Sequence, residues 1–200
     1  GYTSYSSNPF CVNGPVMIAP FWADVDITNG GTISYYQGFN AFGNYLIVTW
    51  NNVEAFATPA FGLVNSFQVI LYENTAVYGY NTEFRYGDMQ WTTGSFNGGA
   101  NGFGSTPATV GVNQGDGINC DDYGIFNHEG YDYLGPSQGS NCPAGGVSHL
   151  DYTTITVDAS SGLINPLTAT LLAWEGEATH QGITLSWETA WEESQSHFVV

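Results

Sequence analysis

Basic side chains are almost absent from this sequence. Arg85 is the single Lys or Arg among 200 residues, against 18 acids, and the formal net charge is −17. Without Lys there is no P-loop lysine, no Schiff base and no Lys–Asn isopeptide crosslink. Nucleic-acid binding needs a basic footprint, and an anionic membrane surface would repel this chain. The charge balance therefore excludes nucleic acid and anionic membranes as partners.

Long apolar runs are also missing. No stretch approaches the roughly 18–20 apolar residues that cross a membrane, and no basic-then-apolar signal segment opens the chain. If the protein is exported, we expect Gly1 to follow a removed signal. The hydrophobic fraction of 42% and aromatic fraction of 16% exclude a disordered chain. Only 10% of residues are charged, so the surface is polar, uncharged and aromatic, which suits contacts with sugars or protein surfaces.

Metal-dependent catalytic motifs are absent as well. The four histidines are scattered, and no His-Glu-x-x-His motif occurs. A pair of carboxylates could serve a glycosidase, but with 18 acids some pair always looks suitable. We therefore expect a protein that is not an enzyme.

Cysteine is scarce and odd in number: Cys11, Cys120 and Cys142. In an exported protein, three cysteines leave one free thiol or one intermolecular bond. Cys120 and Cys142 bracket a Gly-rich loop, and closing it would contribute about 3 kcal/mol on the chain-entropy account. We favour a Cys120–Cys142 disulfide, and Cys11 pairing with one of the two is the alternative.

Strand patterns dominate what is present. Short β-branched and aromatic runs lie between clusters of Gly, Asn and Pro, and no helical period of ten residues occurs. An all-β fold follows, a β-sandwich with long Gly/Asn-rich loops. The predicted strands are residues 32–37, 45–50, 66–72, 109–113, 153–158, 167–174 and 183–188.

Two long loops are predicted, residues 92–107 and 114–147. Loops of this length are usually functional or tied down. A composition change at residues 159–166 predicts a linker. The predicted organisation is thus a β domain at 1–158, a linker at 159–166, and an incomplete strand set at 167–200 that leaves open edges and an uncovered apolar face.

Residues 1–158 resemble the nidogen-like domain of extracellular matrix and adhesion proteins. The strings that carry the resemblance are residues 18–26 (IAPFWADVD), 48–53 (VTWNNV), 65–71 (NSFQVIL), 84–93 (FRYGDMQWTT) and 109–117 (TVGVNQGDG). The resemblance implies a non-catalytic β domain at a cell surface or in a matrix.

Residues 166–200 are similar to the fibronectin-III-like segment near the C-terminus of many Bacteroidota secreted proteins. Those proteins usually continue to a type IX sorting domain, whereas this sequence stops at Val200. The resemblance implies a secreted location at the surface of a Gram-negative bacterium. It also implies an incomplete Ig/fibronectin-III-like strand set at the C-terminal end.

Two acidic groups are candidate Ca²⁺ sites. Asp24 and Asp26 alternate with Thr28 before Gly30, a spacing that can place oxygens around a cation; the same aspartates can instead cap a turn. Asp116, Asp121 and Asp122 form the second group, since neighbouring carboxylates repel one another unless solvated or metal-bound. No other cofactor is expected.

The leading functional hypothesis is a structural subunit of an extracellular bacterial fibre. Strand addition to a neighbour would satisfy the open edges of residues 167–200, and a head-to-tail contact that does not close makes a filament. The alternative is an adhesin that binds glycan or matrix protein through the two long loops. The predicted subunit-interface residues are Leu167, Leu171, Leu172, Trp174, Ile183, Leu185, Trp187, Phe198, Val199 and Val200.

Overall fold

The computed structural model describes residues 16–41, 43–73, 80–133, 144–158, 163–166, 169–179 and 182–192. Within these ranges the chain is almost entirely β, which confirms the predicted fold class. None of the described segments is a helix long and apolar enough to cross a membrane. The strands are β1 (Met17–Trp22), β2 (Val25–Asp26), β3 (Thr32–Asn40), β4 (Gly43–Ala55), β5 (Asn65–Tyr72), β6 (Thr82–Met89), β7 (Gly99–Ala100), β8 (Phe103–Gly104), β9 (Ala108–Asn113), β10 (Cys120–His128), β11 (Ala144–Gly146), β12 (Thr154–Asp158), β13 (Leu163–Pro166), β14 (Ala169–Thr179) and β15 (Gly182–Glu192).

Two larger sheets form the sandwich. The first has four strands in the order β1-β9-β10-β11. The second has seven: β13-β12-β6-β5-β4-β2 form one path, and β3 pairs with β4. Two short 3₁₀ helices, Ser95–Asn97 and Val147–Leu150, lie in the connections.

The core lies between the two sheets and follows the two-residue period of the strands. Side chains of β5 alternate between buried and half-buried from Asn65 to Val69, because successive residues of a strand point to opposite faces. Phe21 of β1 reaches across the sandwich to Phe67 of β5, with ring centroids 5.4 Å apart. Other large core side chains include Val53, Phe84, Met89, Trp91, Val110, Phe126, Leu150, Ile155 and Val157.

A buried polar residue locks one end of this core. Asn65 is fully buried, and its Oδ1 accepts hydrogen bonds from the backbone amides of Gln90 (2.6 Å) and Trp91 (3.1 Å). Its Nδ2 donates to the carbonyl of Trp91 at 2.9 Å. The Trp91 indole in turn donates to the carbonyl of Val53 at 3.0 Å. One side chain therefore satisfies the backbone where β6 ends and fixes Trp91 against β4.

Both predicted long loops contain strands, so that part of the prediction is wrong. Residues 92–107 include the β7–β8 hairpin, whose turn at Asn101–Gly102 has positive φ at both positions (54° and 86°), as a tight primed turn requires. Residues 114–147 include β10 and β11. The β10 strand escaped prediction because buried acids and a glycine break its apolar alternation.

The chain divides into two compact units, Gly1–Asn165 and Pro166–Val200. In the second unit β14 and β15 form an antiparallel hairpin in which Trp174 is opposite Trp187. The predicted domain boundaries stay predictions, although residues 163–166 of the predicted linker form β13 beside β12.

Replacing Asn65 with Ala should destabilise the domain by about 2–4 kcal/mol, because two buried amides and a carbonyl lose their partner. Chemical denaturation of the purified chain measures this loss. Asn51→Ala is the matched control, since Asn51 is exposed on β4 and should shift the free energy of unfolding by less than about 0.5 kcal/mol. Equal stability of the two variants would contradict the locking role of Asn65.

Candidate functional site

Strand β3 forms an open edge of the seven-stranded sheet. Among the described strands it pairs with β4 alone, from Thr32 opposite Asn51 to Asn40 opposite Gly43. Eight of its nine residues are exposed, and its sequence TISYYQGFN contains neither a charge nor a proline. Natural sheet edges are usually protected by such residues or by a covering segment. This edge has neither kind of residue.

The exposure of β3 arises because the core does not extend beneath it. One row of facing residues crosses the sheet from Phe84 through Val69 and Val48 to Tyr35. Phe84 and Val69 are buried, Val48 is half-buried and Tyr35 is 74% exposed. The hydrophobic face of the seven-stranded sheet therefore extends past the area that the other described elements cover, and β3 lies in the uncovered part.

A groove of about 750 Å³ lies where β3 turns into β4 and β5 ends. We call it the hairpin groove. Residues from both faces of the three strands line it, because it runs across the strand ends. Its lining residues are Tyr36, Gln37, Gly38, Phe39, Asn44, Tyr45, Leu46, Leu71, Tyr72 and Glu73.

Arg85 lies near the hairpin groove, but its side chain is already bonded to Glu83. Its Nε donates to Glu83 Oε1, and the hydroxyls of Tyr72 and Tyr80 donate to Glu83 Oε2 at 3.0 and 3.4 Å. The bond to Glu83 raises the pKa of Arg85 further, and burial followed by the Glu83 charge raises the pKa of Tyr72. The chain's single Lys/Arg side chain is thus part of a structural ion pair.

The first candidate Ca²⁺ group is used by a turn. Asp26 Oδ1 accepts from the backbone amide and the hydroxyl of Thr28, at 2.8 and 2.6 Å. Asp24 Oδ2 accepts from Asn97 Nδ2 at 3.3 Å. Burial, then repulsion from Asp26, raises the pKa of Asp24. Metal binding here stays a prediction.

The second candidate group is split between a turn and a strand. Asp116 Oδ1 accepts from the amides of Ile118 and Asn119, and these bonds lower its pKa. Asp121 and Asp122 are buried neighbours on β10, so they point to opposite faces. No group of three or more His, Cys, Asp or Glu able to hold a metal occurs within the described ranges, and the Ca²⁺ prediction stays untested.

The predicted interface residues lie largely on the C-terminal hairpin. Leu171, Leu172 and Trp174 belong to β14, and Ile183, Leu185 and Trp187 belong to β15. Leu167, Phe198, Val199 and Val200 lie outside the described residues. Their part in an interface is not tested.

Cys120 begins β10. Both possible partners, Cys11 and Cys142, lie outside the described residues. The Cys120–Cys142 pairing therefore stays a prediction.

The first predicted binding loop, residues 92–107, is held to the rest of the domain by backbone hydrogen bonds. The amides of Thr92 and Thr93 both donate to the carbonyl of Gly102, at 2.8 and 2.9 Å, and the amide of Ser95 donates to the carbonyl of Phe56 at 2.8 Å. Sequence reasoning missed the hairpin groove because it looked for a site in loops. The sequence feature that could have indicated β3 and β4 is the absence of any charged residue between Asp26 and Glu54.

The geometry defines a β-sandwich domain whose chief accessible feature is an uncharged aromatic sheet edge. The model of the nidogen-like domain family matches residues 38–147, more than half of the chain. The chain belongs to that family.

A curated relative is alpha-tectorin of Mus musculus, 31% identical over 126 aligned residues. The match covers 52% of this chain but only 6% of that protein, so the chain spans a small part of the length of its relative. No solved structure matches the chain. The family and this relative indicate an extracellular, matrix-type binding or structural module.

A half-buried carboxyl that bonds to the end of β6 gives the domain a pH-dependent stability. Asp151 Oδ1 accepts from the Met89 amide at 2.8 Å. Burial, with a smaller addition from Asp88, raises the pKa of Asp151 to about 6 from an ordinary 3.8. The fold thus favours the protonated acid. This contribution is fully present below pH 3.8 and is lost as the pH rises through 6.

Asp151→Asn should therefore stabilise the domain at pH 7 by about 0.5–1 kcal/mol after allowance for solvent screening, and should give no gain near pH 4. The amide oxygen can still accept from Met89. Thermal unfolding across pH 4–7 measures the difference. Glu129→Gln removes one exposed charge as a control for the general effect of lowering the net charge. An equal gain in both variants would count against a local effect at Asp151.

Proposed function

We propose that this chain is a structural subunit of an extracellular fibre or surface matrix, assembling head-to-tail by β-strand addition. The observation that carries the proposal is strand β3, an exposed nine-residue edge with no charge or proline. Its outward backbone groups offer a template for a further strand.

The proposed donor is the β14–β15 hairpin of another copy. Within the described part of the chain these strands pair only with each other. A two-stranded hairpin alone is marginally stable in water. Docking it on a neighbour's β3 edge would extend the neighbour's sheet and cover its overhanging hydrophobic face. The residues proposed to make the contact are Leu171, Leu172, Trp174, Ile183, Leu185 and Trp187, with Leu167, Phe198, Val199 and Val200 beside them.

Such a contact joins the β14–β15 hairpin of one copy to strand β3 of the next copy, so the two contacting surfaces differ. A heterologous contact that does not close into a ring propagates as a filament. Membership of the nidogen-like family supports an extracellular setting. The resemblance of residues 166–200 to secreted bacterial proteins supports the surface of a Gram-negative bacterium as the particular location.

Tyr35→Lys tests the acceptor edge. A lysine there protects the edge as natural sheets do, so filament formation by the purified chain should fall at least about tenfold. Light scattering and negative-stain electron microscopy measure it. Ile118→Lys is the charge-matched control, because Ile118 is 81% exposed on a distant turn, and it should assemble like the parent chain.

The donor is tested in the same experiment by deleting Pro166–Val200, which should leave a folded, monomeric domain. Equal assembly by the Tyr35→Lys and Ile118→Lys variants would refute the proposed role of β3 as the acceptor edge. A deletion variant that still polymerises would refute the donor, and a parent chain that stays monomeric at all concentrations would refute the whole proposal.

Salt should promote assembly. Each subunit carries a formal charge of −17, and salt shortens the range of the repulsion to about 10 Å at 0.1 M. Scattering traces from 0.02 to 0.5 M NaCl should show a falling critical concentration. A matched series with CaCl₂ at equal ionic strength separates a specific Ca²⁺ effect from screening. Assembly that is insensitive to ionic strength would contradict the charge argument.

A further inference from the structure

We infer that the hairpin groove is a binding site for an uncharged glycan. The groove shares residues 36–39 with strand β3 but does not include Tyr35, so a substitution at Tyr35 tests strand addition without removing a residue of the groove. Three properties of the groove carry the argument: exposed aromatic faces, fixed hydrogen-bond acceptors, and the absence of a cation from its lining.

Aromatic rings line the groove from both faces of the sheet, Phe39 from one face and Tyr36 and Tyr45 from the other. Phe39 is 75% and Tyr36 60% exposed. The Tyr36 and Tyr45 rings lie 6.1 Å apart at 45°. The Tyr45 ring lies across Gly38, where a Cβ would come within 2.3 Å of its Cζ. The glycine therefore lets Tyr45 lie flat against the strand. Ring faces carry negative partial charge, and the C–H groups on one face of a pyranose complement them.

The polar side of the groove is held rigid. Asn44 donates to Glu73 Oε2 twice, from its backbone amide at 3.0 Å and from Nδ2 at 2.7 Å. The Glu73 amide returns a bond to the carbonyl of Asn44 at 3.0 Å. With Nδ2 committed to Glu73, Asn44 Oδ1 and Glu73 Oε1 accept no hydrogen bond from the described residues and can serve as acceptors for a ligand. Fixed acceptors select a ligand with hydroxyl donors.

Gln37 adds an adaptable group. Its side-chain amide, like the hydroxyls of Tyr36 and Tyr45, makes no hydrogen bond within the described residues. An amide both donates and accepts, as a sugar hydroxyl does. A shallow site with aromatic faces and a few convergent polar groups has the general make-up of a small-ligand site.

Charge narrows the ligand class. Glu73 is the charged group of the lining, and the net charge of −17 adds to its repulsion of anions. Arg85 does not line the groove and is paired with Glu83. Sulfated, phosphorylated or acidic sugars are therefore disfavoured. A basic peptide is the competing ligand, but Glu73 Oε2 already accepts two bonds, and the free groups of Gln37 and Asn44 suit hydroxyls.

The test is calorimetric titration of the full chain with neutral tetrasaccharides built from glucose, mannose, galactose or N-acetylglucosamine. At least one should bind, and Phe39→Ala should weaken it by about fivefold or more through loss of the stacking face. Phe96→Ala is the matched control, because Phe96 is a 68% exposed aromatic in another part of the domain. It should leave the affinity unchanged.

Glu73→Gln separates the two ligand classes. The variant keeps the shape and an acceptor oxygen, so binding of the neutral sugar should change by less than about threefold, whereas a tetralysine probe would lose its partner. The inference would be overturned if none of the tetrasaccharides bound, or if the Phe39→Ala and parent chains had equal affinity. Binding of tetralysine that depends on Glu73 would also overturn it. Tyr35→Lys should abolish assembly but retain sugar binding, so the two proposals can fail separately.

Discussion

The hydrogen bonds between Asn65 and the backbone of Gln90 and Trp91 fix the geometry on which the rest of the domain depends. They hold the end of β6 against the start of β5 without leaving a buried amide unpaired. Trp91 then fills the core, bonds to the carbonyl of Val53 and meets the Phe21 ring edge-on at 5.6 Å. Strands from both sheets are thereby held at this end of the sandwich.

The functional surface is a consequence of where this packing ends. Among the described residues the seven-stranded sheet is wider than the four-stranded sheet that faces it, and its edge strand β3 is left largely exposed. Burial falls from Phe84 to Tyr35 along a single row of facing residues. The same hydrophobic pattern that buries Val69 therefore presents Tyr35 to solvent. An exposed apolar surface on a folded domain is a common feature of interaction sites, and it supports the proposed role of β3.

Strand periodicity was enough to predict β3, β4, β5, β9 and β12, because each is a compact run of β-branched and aromatic residues. It failed at β10, where Asp121, Asp122 and Gly124 interrupt the pattern yet are buried by partners from elsewhere in the fold. The candidate site could not be predicted from the sequence for a related reason. The side chains of β3 have the composition of a buried strand, and only the width of the opposite sheet decides that they are exposed. Asn44 and Glu73 are far apart in sequence and meet through register alone.

The distribution of charge reconciles an acidic chain with an associating surface. No charged residue occurs between Asp26 and Glu54, so β3 and the part of β4 that pairs with it are free of the groups that give the chain its net charge. In the proposed assembly, repulsion between copies is consequently a long-range term, which salt screens, while the acceptor edge β3 contributes no ion to be desolvated. The lining of the hairpin groove is likewise almost uncharged. Its one carboxylate is already bonded to Asn44, so a neutral ligand can dock without breaking an ion pair. An uncharged edge within a strongly acidic domain thus permits specific contacts and opposes indiscriminate ones.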